Sequence, residues 1–121
     1  MRTAVKLTSR YAWEHLLQQY PVGGVLDRRR RDPRRHTARG KARLIYRNGQ
    51  ETSAQTGKVL NVSAGGILLQ LPERVRTGRL VVLRLALGEN RAILVGRVIH
   101  CTPAADGFKI GVELLFDDSR A

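Results

Sequence analysis

Beyond residue 40 the period of the chain changes to two: in several segments, separated by turn residues, apolar residues recur at every second position. Ala42, Leu44 and Tyr46 alternate with Lys41, Arg43 and Arg47; Val81, Leu83, Leu85 and Leu87 share one face; Phe108, Ile110, Val112, Leu114 and Phe116 share another. Successive side chains of an extended chain point to opposite sides, so each run is a strand with one face turned to a core. The expected strands cover 41–47, 51–62, 66–71 ending at Pro72, 79–87 ending at Gly88-Glu89-Asn90, 91–101 ending before Pro103, and 108–116. Asn48-Gly49 tolerates the positive φ of a tight turn, which pairs the first two strands as an antiparallel hairpin. Six short strands with turn signals between them and no helical pattern among them predict a small antiparallel barrel or sandwich.

A different pattern precedes the strands. Trp13, Leu16, Leu17 and Tyr20 follow the i, i+3, i+4, i+7 spacing of one amphipathic helical face, and Ser9 is placed to cap its start. Pro21 restricts Tyr20 and Gly23-Gly24 follows, so the helix is expected to end near Gln19 and give way to a linker. Such a helix either packs on the barrel or docks a partner. At 121 residues, with 42% hydrophobic and 5% aromatic residues, the chain has room for one domain and a core of Leu, Val, Ile and Ala. The organisation expected is a helix and linker over 1–27, a strand domain over 28–116 and a tail over 117–121.

The formal net charge of +12 favours an anionic partner. Between Asp27 and Arg47 there are ten basic and two acidic residues, so much of the excess lies in one stretch. Its centre is Arg28-Arg29-Arg30-Arg31-Asp32-Pro33-Arg34-Arg35, with no lysine from Asp27 to Gly40. A guanidinium binds phosphate oxygens in pairs, donates two parallel bonds to guanine O6 and N7, and stacks on a purine; an ammonium does only the first well. Pro33 fixes its own φ and restricts Asp32, so the run reads as a turn that delivers side chains.

Some twenty-five residues on stands Asn61-Val62-Ser63-Ala64-Gly65-Gly66, ahead of the apolar Ile67-Leu68-Leu69. The amide of Asn61 and hydroxyl of Ser63 can reach base edges, and Gly66 lets backbone approach closely. Taken alone, the same residues are a turn held by side chain to backbone hydrogen bonds.

The two segments together, R-x-x-x-R as Arg30…Arg34 and [D/N]-x-S-x-x-G as Asn61, Ser63 and Gly66, resemble the PilZ family over roughly residues 28–116. The resemblance implies an all-β fold, a six-stranded antiparallel barrel with a short N-terminal helix and an arginine-rich arm. It implies a non-catalytic receptor for cyclic di-GMP that holds the dinucleotide between the arm and the edge of the second strand. The site residues it implies are Arg29, Arg30, Arg31, Arg34 and Arg35 in the arm, and Asn61, Ser63, Gly65 and Gly66 in the turn. Arg31…Arg35 and Arg35…Arg39 also satisfy the arginine spacing: Asp32-Pro33-Arg34 favours the first register, and counting forward to the first strand favours Arg31 and Arg35. Arg28 and Arg29 resemble the extra arginines with which some members hold a second, stacked nucleotide. Asparagine replaces the aspartate often found in the second motif.

Two other functions are open to such a chain. A small basic barrel can bind RNA or DNA along the arginine stretch, although the strands present no exposed aromatic pair for base stacking. A degenerate family member can act as an adaptor that binds only protein, through the Trp13 face and the arm. Nothing supports an enzyme or a metal cofactor: His15, His36 and His100 have no nucleophile or carboxylate at motif spacing, His100-Cys101 face opposite ways on a strand, Asp117-Asp118 lies past the last strand, and Gly65-Gly66 lacks the lysine of a phosphate loop. The expected partners are cyclic di-GMP and a downstream protein, with no specific nucleic acid, no membrane insertion, and a monomer or homodimer. Cys101, the single cysteine, and the lack of a long apolar segment near the N-terminus make cytoplasm the expected compartment.

Overall fold

The computed structural model describes residues 6–19 and 36–116. One helix, α1 (Arg10–Gln19), precedes six strands: β1 (His36–Asn48), β2 (Glu51–Val62), β3 (Gly66–Leu71), β4 (Leu80–Leu87), β5 (Asn90–Ala104) and β6 (Gly107–Leu114). All neighbouring strands run antiparallel in the order β1-β2-β3-β6-β5-β4, and β4 closes onto β1, so the sheet is a barrel without an open side. Closure removes the unpaired edges that a six-stranded open sheet would present.

The alternation read from the sequence is the alternation of the barrel wall. Leu44, Leu83, Leu94 and Ile110 are wholly buried, as are Leu69 and Leu71, while their strand neighbours face outward. The interior is aliphatic, as a chain so poor in rings requires. Gln55 is the one buried polar residue among those described. Its amide donates to the Glu73 carbonyl at 3.2 Å and its own oxygen accepts from the Glu73 N–H at 2.8 Å. The side chain therefore imitates a strand partner for the segment after β3, and both halves of the amide are satisfied.

α1 closes one end of the barrel. The Ser9 hydroxyl accepts from the Ala12 N–H at 3.0 Å, the N-cap expected of it. Trp13 and Leu17 are buried in the core, and Leu16 packs against it. Of the two roles open to the helix, packing on the barrel is the one seen; Tyr20 and the linker lie outside the described residues. Just before the helix, Thr8 donates its N–H to the Ile93 carbonyl at 2.8 Å and accepts from the Ile93 N–H on its hydroxyl at 2.9 Å. Leu115 donates to the Val95 carbonyl at 2.8 Å. Both occupy the stretch of β5 that β6 does not reach.

Apart from strand ends that shift by one or two residues, such as β6 ending at Leu114 rather than Phe116, three details depart from the sequence reading. β1 begins at His36, five residues before the alternation becomes legible. β5 continues through Pro103 to Ala104, since Pro103 stands opposite Phe108 beside the final hairpin, where the loss of one N–H is tolerated. The first hairpin turns on Gly49-Gln50, with Asn48 already paired to Glu51; only Gly49 takes positive φ, 72°, the arrangement of a turn with glycine at its first central position.

Candidate functional site

Two β-bulges decide where the polar side chains of this barrel point. In β2 the register slips between Val59 and Asn61, and in β5 between Val98 and His100. An extra residue in one strand reverses which side the following residues face. Val59 and Val62 are therefore both buried, and Asn61 is turned out. In β5 Val98 is buried, Cys101 packs against the core, and His100 is exposed beside Ile99, itself 52% exposed.

The bulges place Asn61 and His100 on one row across four strands. Asn61 stands opposite Leu68, Leu68 opposite Gly111, and Gly111 opposite His100. The next row brings Gln70, Lys109 and Thr102 into line. Between these rows lies an open groove of about 350 Å³, lined by Asn61, Ser63, Leu68, His100, Thr102 and Lys109 among others. Its polar groups are an amide, an imidazole, two hydroxyls and an ammonium; its apolar lining includes Leu68 and Ile99, and Gly111 lies buried under the His100 ring. A Cβ on Gly111 would collide with the imidazole of His100, so the ring lies directly across the strand at this point.

The turn after β2 forms one end of the groove. The Ser63 hydroxyl accepts from the Gly66 N–H at 2.9 Å and donates to the Gly66 carbonyl at 3.1 Å, which also accepts from the Ser63 N–H at 2.9 Å. Ser63 thus holds the turn by side chain to backbone bonds. Gly66 lies so close to β6 that an added Cβ would stand 3.2 Å from the Val112 carbonyl. Gly65 is under no such demand: an added Cβ would meet nothing within 4 Å. Its carbonyl accepts from the Leu114 N–H at 2.9 Å.

From beneath, the same turn is tied to the helix. Trp13 donates its indole N–H to the Ser63 carbonyl at 2.9 Å, and the Arg10 guanidinium sits 4.8 Å from the centre of the Phe116 ring.

The sequence-derived site residues divide in two. Asn61, Ser63 and Gly66 line the groove, and Gly65 lies in the same turn but outside that lining. Arg28, Arg29, Arg30, Arg31, Arg34 and Arg35 lie outside the described residues. The strand that follows them, however, is placed: His36 is opposite Val62 and Thr37 opposite Asn61. The arginine run therefore enters β1 beside the turn, and Arg30, six residues before His36, is at most about 21 Å of extended chain from it. His100, Thr102 and Lys109 were not singled out from the sequence for the groove. The consecutive apolar pair Val98-Ile99 coincides with the bulge, but Ala92-Ile93-Leu94-Val95 in the same strand runs without a slip, so the pair alone does not mark His100.

Among the described residues no group of three His, Cys, Asp or Glu could hold a metal ion, and no helix is long and apolar enough to cross a membrane. Residues 28–121 match the family model of the PilZ domain. No curated protein matches the chain.

Proposed function

The chain belongs to the PilZ domain family, a family of cyclic di-GMP receptors, and from that premise we propose that it captures the dinucleotide in the Asn61–His100 groove with the arginine run as the closing arm. The observation that supports this reading is the register of β1, whose first residues His36 and Thr37 pair with Val62 and Asn61, so that the arginine run joins the barrel at the strand end that leads into the Ser63–Gly66 turn. Cyclic di-GMP presents two guanines and two phosphodiesters. The apolar side chains of Leu68 and Ile99 and the exposed His100 ring suit a purine face, and the Asn61 amide suits its hydrogen-bonding edge. Guanidiniums of Arg30 and Arg34, or of Arg31 and Arg35, take the phosphates and guanine O6 and N7, with Arg29 beside them; Lys109 supplies a further cation at the groove. Ser63 acts by shaping the turn, and Gly66 by letting it lie against β6.

No bond of the ligand is made or broken in this scheme. The output is a change of shape: the arm closes on the ligand, and the greater affinity of the closed state for ligand shifts the population toward it. In this reading 28–116 is the ligand-binding unit, 1–27 carries the helix that caps it, 117–121 is a tail, and the protein works in the cytoplasm with a downstream protein partner.

Amide chemical shifts followed during titration with cyclic di-GMP test the site. Expected are saturable shifts at Asn61–Gly66, Leu68, His100–Thr102 and Lys109–Gly111. Shifts confined to the opposite face of the barrel, or none at all, would overturn it.

A further inference from the structure

On the side of the barrel formed by β1, β4 and β5, an aliphatic row runs between two rows of arginine. Ile45 stands opposite Val82 and Val82 opposite Val95, all three on the outer face. One step along the strands, Arg43 stands opposite Arg84. One step the other way, Arg47 follows on β1, and Leu80, 55% exposed, stands opposite Arg97. Two steps beyond the aliphatic row, Lys41 and Arg91 flank Ala86. Aspartate and glutamate are absent from the outward positions of these three strands over this stretch. Beside the aliphatic row is a shallow recess of about 280 Å³, lined by Ile45, Arg47, Thr52, Leu80, Val82 and Val95 among others.

From this arrangement we infer that the face is a docking surface for an acidic amphipathic helix of a partner protein, laid across the strands with its apolar stripe on Ile45, Val82 and Val95. The spacing fits. Arg43 and Arg47 are four residues apart on one strand, about 13 Å, and a helix with its side chains is about 10–12 Å across, so the two arginine rows straddle it. Carboxylates flanking the apolar stripe would then meet guanidiniums on both sides, and guanidinium and carboxylate pair in a fixed bidentate geometry. Other occupants meet the surface poorly. A second copy would bring arginine rows against arginine rows. The chain's own arginine run has the wrong charge. A nucleic acid offers no aliphatic side chain for the recess, and Tyr46, the aromatic residue that lines it, packs against the core with the Arg79 guanidinium over its ring rather than standing out as a stacking platform. A bilayer gains little from short β-branched side chains half-buried in the pleat. The surface is separate from the Asn61–His100 groove, and the inference stands without the ligand reading.

The test uses the full chain and a labelled designed peptide of about sixteen residues, helical, with leucines at i, i+3, i+4, i+7 and glutamates on both flanks. Fluorescence anisotropy is expected to show saturable binding, weakened at least about tenfold when the leucines become serines or the glutamates become lysines. Arg43→Glu with Arg84→Glu, at exposed positions where folding is checked by melting, should weaken the acidic peptide to the same degree and improve binding of the lysine-flanked one. Val82→Glu should also abolish binding. Acidic-peptide binding that ignores all three substitutions would overturn the proposal. So would stronger binding to phosphatidylglycerol vesicles or to single-stranded DNA through the same residues, or self-association on this face.

Discussion

Asn61 and Ser63 stand two residues apart, and their roles separate cleanly. Asn61 faces the groove with no part in the turn, so Asn61→Ala is expected to weaken cyclic di-GMP by about tenfold or more, the loss of one to two good hydrogen bonds, while shifting the melting temperature of the free protein by no more than about 2 °C. Calorimetric titration and a melting curve together check both halves. Ser63→Ala removes a hydroxyl that bonds Gly66 twice. It is expected to cost about 1–2 kcal/mol of stability in urea unfolding, and to weaken ligand through the turn. Gly111→Ala forces the exposed His100 ring off the strand, a change in groove shape at small cost in stability, and should be read as altered ligand affinity with a nearly unchanged denaturant midpoint. Asn61, Ser63 and Gly66 were legible from the sequence because their spacing is a motif. His100 was not: as a lone histidine it carries no spacing signal, and only the register slip between Val98 and His100 brings it to the groove.

At the scale of elements, the strands were legible because each buries one face, and a buried face writes period two into the sequence. Val81, Leu83, Leu85 and Leu87 needed no other information. The start of β1 was hidden because His36–Gly40 pairs with β2 across a register slip and shows no alternation. Gln55 was hidden because its partners, the backbone of Glu73 and the Tyr46 hydroxyl across the sheet, are announced by no sequence pattern. The helix was legible as a helix, and the position of its indole N–H on the Ser63 carbonyl was not. That bond makes α1 part of the site's support. Trp13→Phe keeps most of the apolar volume and loses the donor, so it should destabilise by about 1–2 kcal/mol, with the Ser63 carbonyl left without its bond. Because Trp13 is the single tryptophan, its fluorescence reports on this contact alone. A saturable change in emission on adding cyclic di-GMP is expected if closing the arm moves the turn. A flat response together with heat of binding would show that turn and helix stay rigid.

For the whole molecule, charge and closure do different work. The closed barrel pairs the strands that carry the groove on both sides, so on the proposed reading the ligand would meet a surface already shaped before it arrives. On the proposed reading, the charge of +12 would speed capture of a ligand with two negative charges, and selectivity would come from the groove. Raising salt should therefore weaken binding without abolishing it, as screening acts most on the exposed arginines. Arg30→Ala and Arg34→Ala, outside the barrel wall, should lose ligand while the melting temperature of the free protein stays nearly constant; wild-type affinity in both would move the site to Arg31 and Arg35. The most direct measurement is isothermal titration of the full chain with cyclic di-GMP at physiological salt, repeated with excess GTP and with a short single-stranded RNA present. One or two ligands bound per chain, unaffected by either competitor, is the result this account predicts. No heat with cyclic di-GMP, or binding that the RNA displaces, would contradict it.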